Sequence, residues 1–304
     1  MISSDMIKKR ILVVGSNGML GQRLAQFFAV QNDVELLCAS AEKNSFLPNV
    51  EYKKLDITQK PEVKKIVLNF FPDFIINTAA YTNVDKAETE RELAWKVNVN
   101  GVENLAFYSC TIDSHLIHLS TDYIFDGKKG PYTEVDIPNP ISYYGRTKLA
   151  AENSIKASGS RATIIRTNVL YGPAKYGRPD FVRWVYNSLK ANQQIKIVTD
   201  QINNPTYIDD LVTLINQITI SKKEGIYNAG GKELLSRFDF TKRIAKYFDL
   251  DERLILPILT HELNQPAKRP LNSGVINLKA ETELNYKPTE IEETFRLMKV
   301  ELNL

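Results

Sequence analysis

Tyr144 and Lys148 stand four residues apart in Tyr144-Gly145-Arg146-Thr147-Lys148. The segment predicts a helix from about Ser142 to Ala157, so the phenol and the ammonium share one helix face. An unperturbed tyrosine titrates near ~10 and is a poor acid or base at neutral pH. A unit charge at ~4 Å in an effective dielectric of ~20 contributes about 4 kcal/mol, or roughly three pH units. Lys148 is therefore expected to bring Tyr144 down toward working pH. Such spacing occurs on any lysine-rich helix, where a solvated pair explains it, so the surrounding sequence has to decide. Ser120-Thr121-Asp122 adds a second hydroxyl at the end of the apolar strand Leu116 to Leu119. Open parallel sheets bind ligands at that end, and a carbonyl gaining a hydride needs a donor to its oxygen. A Ser-Thr pair there could equally turn the chain.

Gly15-Ser16-Asn17-Gly18-Met19-Leu20-Gly21 spaces three glycines between the apolar run Ile11 to Val14 and a helical pattern of Met19, Leu20, Leu24, Phe27 and Phe28. Glycines allow a tight turn and close backbone approach, and the helix start offers free N–H groups and a partial positive charge to a pyrophosphate. The cofactor expected on this loop is a nicotinamide dinucleotide. A second strand, Val34 to Ala39, ends in Ser40-Ala41-Glu42-Lys43. An acidic residue at this tip holds ribose hydroxyls. Ser40 and Lys43 could instead hold a 2′-phosphate, with Glu42 between them, so NADPH is preferred and NADH stays open. Asp56, followed by Ile57, closes another short strand. Its carboxylate suits an adenine amino group or the cap of a helix beginning near Thr58.

These groups need a frame. A helix at about 61–70, a strand at Phe74 to Asn77, a helix over about 89–111, the strand ending at Ser120, the Ser142 helix and a strand at Ala162 to Arg166 alternate as in a doubly wound α/β sheet. After Gly172-Pro173 the rhythm loosens, apart from helices at Phe181 to Lys190 and Asp209 to Ile220 and a strand at Gly225 to Asn228. The expected organisation is a cofactor domain over 1–172 with a return at about 203–230, and a smaller cap from 173–202 and 231–304.

The chain has 304 residues, 39 basic and 36 acidic, with a formal net charge of +3. No basic block points to nucleic acid. Cys38 and Cys110 form neither a disulfide framework nor a metal pair and read as two buried free thiols. The start, Met1 to Arg10, has no signal-peptide core or membrane span, so a cytoplasmic protein is expected. His115 and His118, three apart on a strand, point to opposite faces and make no metal site.

Taken together, five segments resemble the dTDP-4-dehydrorhamnose reductase family of extended short-chain dehydrogenases/reductases, enzymes that reduce a 4-keto nucleotide sugar. They are Gly15 to Gly21, Asn77 to Glu88, Ser120 to Gly127, Tyr144 to Lys148 and Arg269 to Ser273. The resemblance implies a Rossmann-type cofactor domain with a C-terminal substrate domain. It implies Tyr144 as proton donor, Lys148 as the group that tunes it and holds the nicotinamide ribose, and Thr121 as donor to the substrate oxygen. Ala79, Ala80 and Tyr81 would flank the cofactor, and Asn98 would support the site or simply pack its helix. Val84, Asp85, Asp122 and Arg269 would face the sugar, although Asp85 and Lys86 could form a surface pair. A homodimer is compatible with the resemblance.

The sequence departs from the family pattern at Val169, where well-known members carry tryptophan, and at Gly274, where arginine is usual. Gln22 and Arg23 replace a glutamate that serves a metal at a dimer contact in some members, so no metal is expected. Tyr123 stands where a dehydratase of the superfamily needs a glutamate, which favours simple reduction. An epimerase uses the same tyrosine and lysine. A non-catalytic NADP-binding subunit, like the β subunit of methionine adenosyltransferase, shares two of the motifs.

Overall fold

The computed structural model describes residues 8–304, so most of the opening segment judged free of a leader, residues 1–7, lies outside the described residues. The first half of the chain alternates strand and helix: β1 (Lys9–Val14), α1 (Met19–Ala29), β2 (Val34–Ser40), β3 (Tyr52–Lys54), α2 (Lys60–Phe70), β4 (Phe74–Asn77), α3 (Arg91–Trp95), α4 (Gly101–Thr111), β5 (His115–Thr121), α5 (Tyr143–Ala157) and β6 (Ala162–Thr167). Residues Lys96–Asn100 form a π-helical turn that joins α3 to α4, so the helix expected over about 89–111 runs unbroken from Arg91 to Thr111 with a π-bulge in its middle. The second half contributes β7 (Leu170–Tyr171), α6 (Phe181–Lys190), β8 (Ile195–Val198), β9 (Ile202–Asn203), β10 (Thr206–Tyr207), α7 (Ile208–Ser221), β11 (Gly225–Asn228), β12 (Leu235–Ser236), α8 (Arg237–Tyr247), β13 (Ile255–Ile258), α9 (Leu278–Leu284) and α10 (Ile291–Leu302).

Seven strands form one parallel sheet in the order β11-β6-β5-β4-β1-β2-β3. The apolar runs Ile11-Leu12-Val13-Val14 and Phe74-Ile75-Ile76 are buried throughout, as strands covered on both faces must be. Two cores follow, one per face. Leu24, Phe28, Leu211 and Ile215 pack on one side, and Val63, Val67, Leu105 and Ala151 on the other. The order of connection reverses between β1 and β4, which opens a crevice at the carboxyl ends of these strands.

A third core, built on Tyr171, Phe240, Ile244 and Phe295, belongs to the cap. It joins α6, α8 and α10 over the crevice. Within 203–230, β11 pairs with β6 and α7 packs against α1. Helix α9 packs on α7 and β11, with Ala280 and Leu284 in the cofactor domain's core, because the apolar face of α7 continues past the sheet edge. Cys110 is exposed near the end of α4, not buried, whereas Cys38 is buried in β2.

Candidate active site

One cleft of about 1030 Å³ runs along the carboxyl ends of β1, β2, β4 and β5 and under the cap. At one end Gly15 holds φ +80°, and a Cβ there would stand 2.5 Å from the Ala79 nitrogen. Only glycine lets these two loops close. Gly15, Asn17, Gly18, Met19, Leu20 and Gly21 line this end with Ser40, Asp56, Ile57, Ala79 and Ala80. Ser16 Oγ, buried in the loop, has no hydrogen-bond partner among the described residues. Such a loop, ahead of a helix N-terminus and with an unspent hydroxyl, fits a dinucleotide pyrophosphate. The Asn17 side chain is occupied. It donates to Glu42 Oε2 at 3.2 Å and accepts from the Phe46 N–H at 2.9 Å. Glu42 thereby reaches the cleft wall, while Lys43 lies exposed and outside it. Asp56 Oδ1 accepts the Thr58 N–H at 2.9 Å, a local turn; α2 begins later, at Lys60.

At the centre, Ser142 caps α5 by accepting the Gly145 N–H at 3.1 Å. This starts the helix so that Tyr144 and Lys148 both enter the cleft. Thr121 and Asp122 face them from the end of β5. Thr121 Oγ1 donates to Asp122 Oδ1 at 3.0 Å and accepts the Tyr123 N–H at 3.2 Å. Ser273, from the cap side of the chain, donates to Asp122 Oδ2 at 2.5 Å. The Tyr123 ring meets that of Tyr144 edge-on at 5.7 Å.

Lys148 does not offset the burial of Tyr144. Burial and the neighbouring Asp122 push the phenol well above its ordinary value, and a hydrogen bond with Thr121 only partly opposes them. Burial also pushes Asp122 up to about 6 and Lys148 down to about 8. A phenol held protonated suits an acid that waits for its acceptor.

Tyr81, Asn98, Asp85 and Arg269 do not line the cleft. Asn98 accepts the Tyr81 N–H at 2.8 Å and donates to Thr147 Oγ1 at 2.9 Å, so it ties the loop after β4 to α5. The Tyr81 hydroxyl turns outward to Glu90. Arg269 grips Asp85 through two hydrogen bonds of 2.7 and 2.9 Å, so this carboxylate is paired across the fold rather than with neighbouring Lys86. Val84 does reach the cleft wall.

Three further groups belong to this neighbourhood. Arg237, at the start of α8, enters the cleft with its guanidinium over the Phe181 ring and in no salt bridge among the described residues, although the Asp122 charge acts on it. Glu152, one turn beyond Lys148, is fully buried against Arg166 and accepts from Ser120. His118, buried in β5, lies 3.3 Å from Lys148 Nζ. No motif marks any of them, because each depends on a partner distant in sequence.

A family model for the RmlD substrate binding domain matches residues 9–303. The chain is 33% identical to the dTDP-4-dehydrorhamnose reductase of Aggregatibacter actinomycetemcomitans over 293 residues, 92% of this chain and 95% of that one. A crystal structure of dTDP-4-dehydrorhamnose reductase from Bacillus anthracis in complex with NADP is 33% identical and superposes with a TM-score of 0.87, covering 97% of this chain and 99% of that one. The chain belongs to the dTDP-4-dehydrorhamnose reductase family. It thus stands among the NAD(P)-dependent oxidoreductases of the extended short-chain type. The β subunit of methionine adenosyltransferase 2 from Xenopus tropicalis is also similar, at 30% identity over 270 residues, 87% of this chain and 79% of that one.

Against the dTDP-4-dehydrorhamnose reductase pattern, the departures acquire physical reasons. A Cβ on Gly274 would stand 2.0 Å from Leu234 Cδ2, so the cap packs where a longer side chain would go. Gln22 spends its amide on the Asn17 and Tyr176 carbonyls, at 2.8 and 3.1 Å, and Arg23 pairs with Asp209 and Glu301. Val169 lines the cleft at φ +34°, an uncommon conformation for a β-branched residue. Trp184 of α6 shares that wall.

Proposed function

We propose that this protein reduces a 4-keto-6-deoxy nucleotide sugar to its alcohol, with NADPH as the preferred reductant and NADH as the other candidate. One observation carries the reading: Tyr144 and Thr121 face each other in a cleft that continues, without a break, into the glycine loop. The bound dihydronicotinamide supplies hydride to the carbonyl carbon. Tyr144, kept protonated by its burial, gives its phenolic proton to the oxygen. Lys148 supports the phenolate left behind, and Thr121 offers its hydroxyl to the same oxygen once it turns from Asp122. Arg237 stands ready for a diphosphate, whose two anionic groups match an unpaired guanidinium. Phe181 and Trp184 offer rings to a base.

Support for NADPH comes from the NADP complex of the Bacillus anthracis relative. Glu42 lines the cleft where Lys43 does not, which is the reason to keep NADH in the assay. A cytoplasmic setting belongs to the same proposal and rests on two free cysteines. No helix among the described residues is long and apolar enough to cross a membrane.

A second reading, an NADP-binding subunit without turnover, is favoured by the similarity to the methionine adenosyltransferase β subunit. A panel of keto-sugar nucleotides with both cofactors separates the two. Consumption of NADPH that disappears in Tyr144→Phe, with cofactor affinity retained, upholds reduction. Tight NADP binding with no turnover on any member of the panel would overturn it in favour of the subunit.

A further inference from the structure

The buried histidine of β5 makes three contacts that belong together. Asn77, at the end of β4, accepts the Ala79 N–H on its Oδ1 at 3.1 Å. Its amide nitrogen is therefore the atom that faces His118 Nδ1, at 3.1 Å. An amide nitrogen only donates, so Nδ1 must accept, and the neutral ring carries its proton on Nε2. That N–H faces Lys148 Nζ at 3.3 Å, while Nζ itself donates to the Leu119 carbonyl at 2.6 Å.

We propose that His118 is a positioning residue for Lys148: locked by Asn77 as the Nε2–H tautomer, it turns a donor toward the lysine nitrogen and favours the amine over the ammonium. An amine accepts from Nε2–H and still donates to Leu119. An ammonium has no lone pair to offer, so two donors confront each other in a buried site. Burial alone already draws Lys148 down to about 8 and holds His118 neutral, well below its ordinary value. The tautomer adds a directional reason that burial lacks.

The surrounding charges leave this contact undisturbed. On α5 the groups facing Lys148 are Tyr144 and Glu152, and the Glu152 carboxylate is engaged by Arg166 of β6 and Ser120 of β5. Asp122 lies beyond the end of β5, held by Thr121 and Ser273. Around His118, β4 offers only neutral Asn77 and β6 the apolar partner Ile164. Lys148 is the one cation the ring meets among the described residues. In consequence Lys148 is poised to take up a proton and release it again as Tyr144 is reprotonated. That consequence rests on the reductase reading; the tautomer does not.

The test begins with the unmodified protein, labelled with nitrogen-15 histidine. The sequence has three histidines, and the His118 signals are those lost in His118→Gln. Expected are a bare Nδ1 and a protonated Nε2 that do not titrate between pH ~5 and ~8. A wild-type ring protonated on Nδ1 overturns the inference. Asn77→Asp keeps an acceptor for the Ala79 N–H but now accepts from Nδ1–H, so the proton should move to Nδ1. The alkaline limb of kcat/KM should then rise by about one pH unit, since Nε2 becomes an acceptor for the ammonium. In His118→Leu the relay is gone, and adding Asn77→Asp should leave the limb where it was. A limb that shifts equally without the ring reports the added carboxylate alone and also overturns the inference. If the wild type reduces no keto sugar, the reductase reading falls while the nitrogen signals still decide the tautomer.

Discussion

The Tyr123 carbonyl oxygen and Gly145 approach so closely that a Cβ on the glycine would stand 2.1 Å from that oxygen. This contact lets the first turn of α5 press against the turn that follows Thr121, and it brings the Tyr144 phenol beside the Thr121 hydroxyl. Gly145→Ala must separate the two backbones. We expect a loss of about 1–3 kcal/mol in stability and a fall in turnover of about 10²-fold, since a shift of ~1 Å suffices for that. Denaturant melts and kcat on one preparation check both.

Arg237 brings a cation into the cleft without a salt bridge among the described residues, with only the more distant Asp122 charge acting on it. Removing it with Arg237→Gln should raise KM for the nucleotide sugar by about 10- to 100-fold, the worth of a hydrogen bond to a charged group. The kcat and the affinity for NADPH should stay near wild type, because the guanidinium meets neither the phosphate loop nor Tyr144 in the structure. Steady-state kinetics with both substrates varied would show it, and an unchanged KM would remove Arg237 from the diphosphate site.

Lys148 costs the fold stability at neutral pH. Its value falls from 10.5 to about 8 through burial, so the folded chain holds this proton less tightly than the unfolded chain. The stability contribution is complete above the unfolded value of 10.5 and is lost as pH falls through about 8. Lys148→Met should therefore gain about 3 kcal/mol at pH 7 and almost nothing above pH ~10, while turnover collapses. Urea unfolding at several pH values tests the sign.

Asp122 works in the other sense. Raised from 3.8 to about 6 by burial, it contributes stability below 3.8 that is lost as pH rises through about 6. Asp122→Asn keeps the shape without the buried charge. It should flatten the pH dependence of stability across that window, as read from thermal melts between pH ~4 and ~7.

The Glu152–Arg166 pair, with side chains 0% and 2% exposed, lies under the catalytic helix. Glu152→Ala leaves a buried guanidinium uncompensated and should cost about 3–5 kcal/mol. The melting temperature reads the loss.

Much of this protein is legible along the chain. Apolar runs such as Ile11 to Val14, with Gly15 next and an amphipathic helix after, specify a strand, a turn and a helix through interactions only a few residues long. Their alternation then leaves one sheet topology. Tyr144 and Thr121 could be picked out because each sits at an element boundary whose place in that topology is known, and Lys148 because it lies one turn beyond Tyr144. What the packing alone decided involves partners far apart. Arg269 is 184 residues from the Asp85 it pairs with, so no local pattern could show the two together. The direction of the Tyr144 shift needed the depth of burial and the Asp122 charge, where spacing had suggested only the lysine. His118 shows the same limit: a single histidine in an apolar strand means nothing until β4 and α5 place an amide on one side of its ring and an amine on the other.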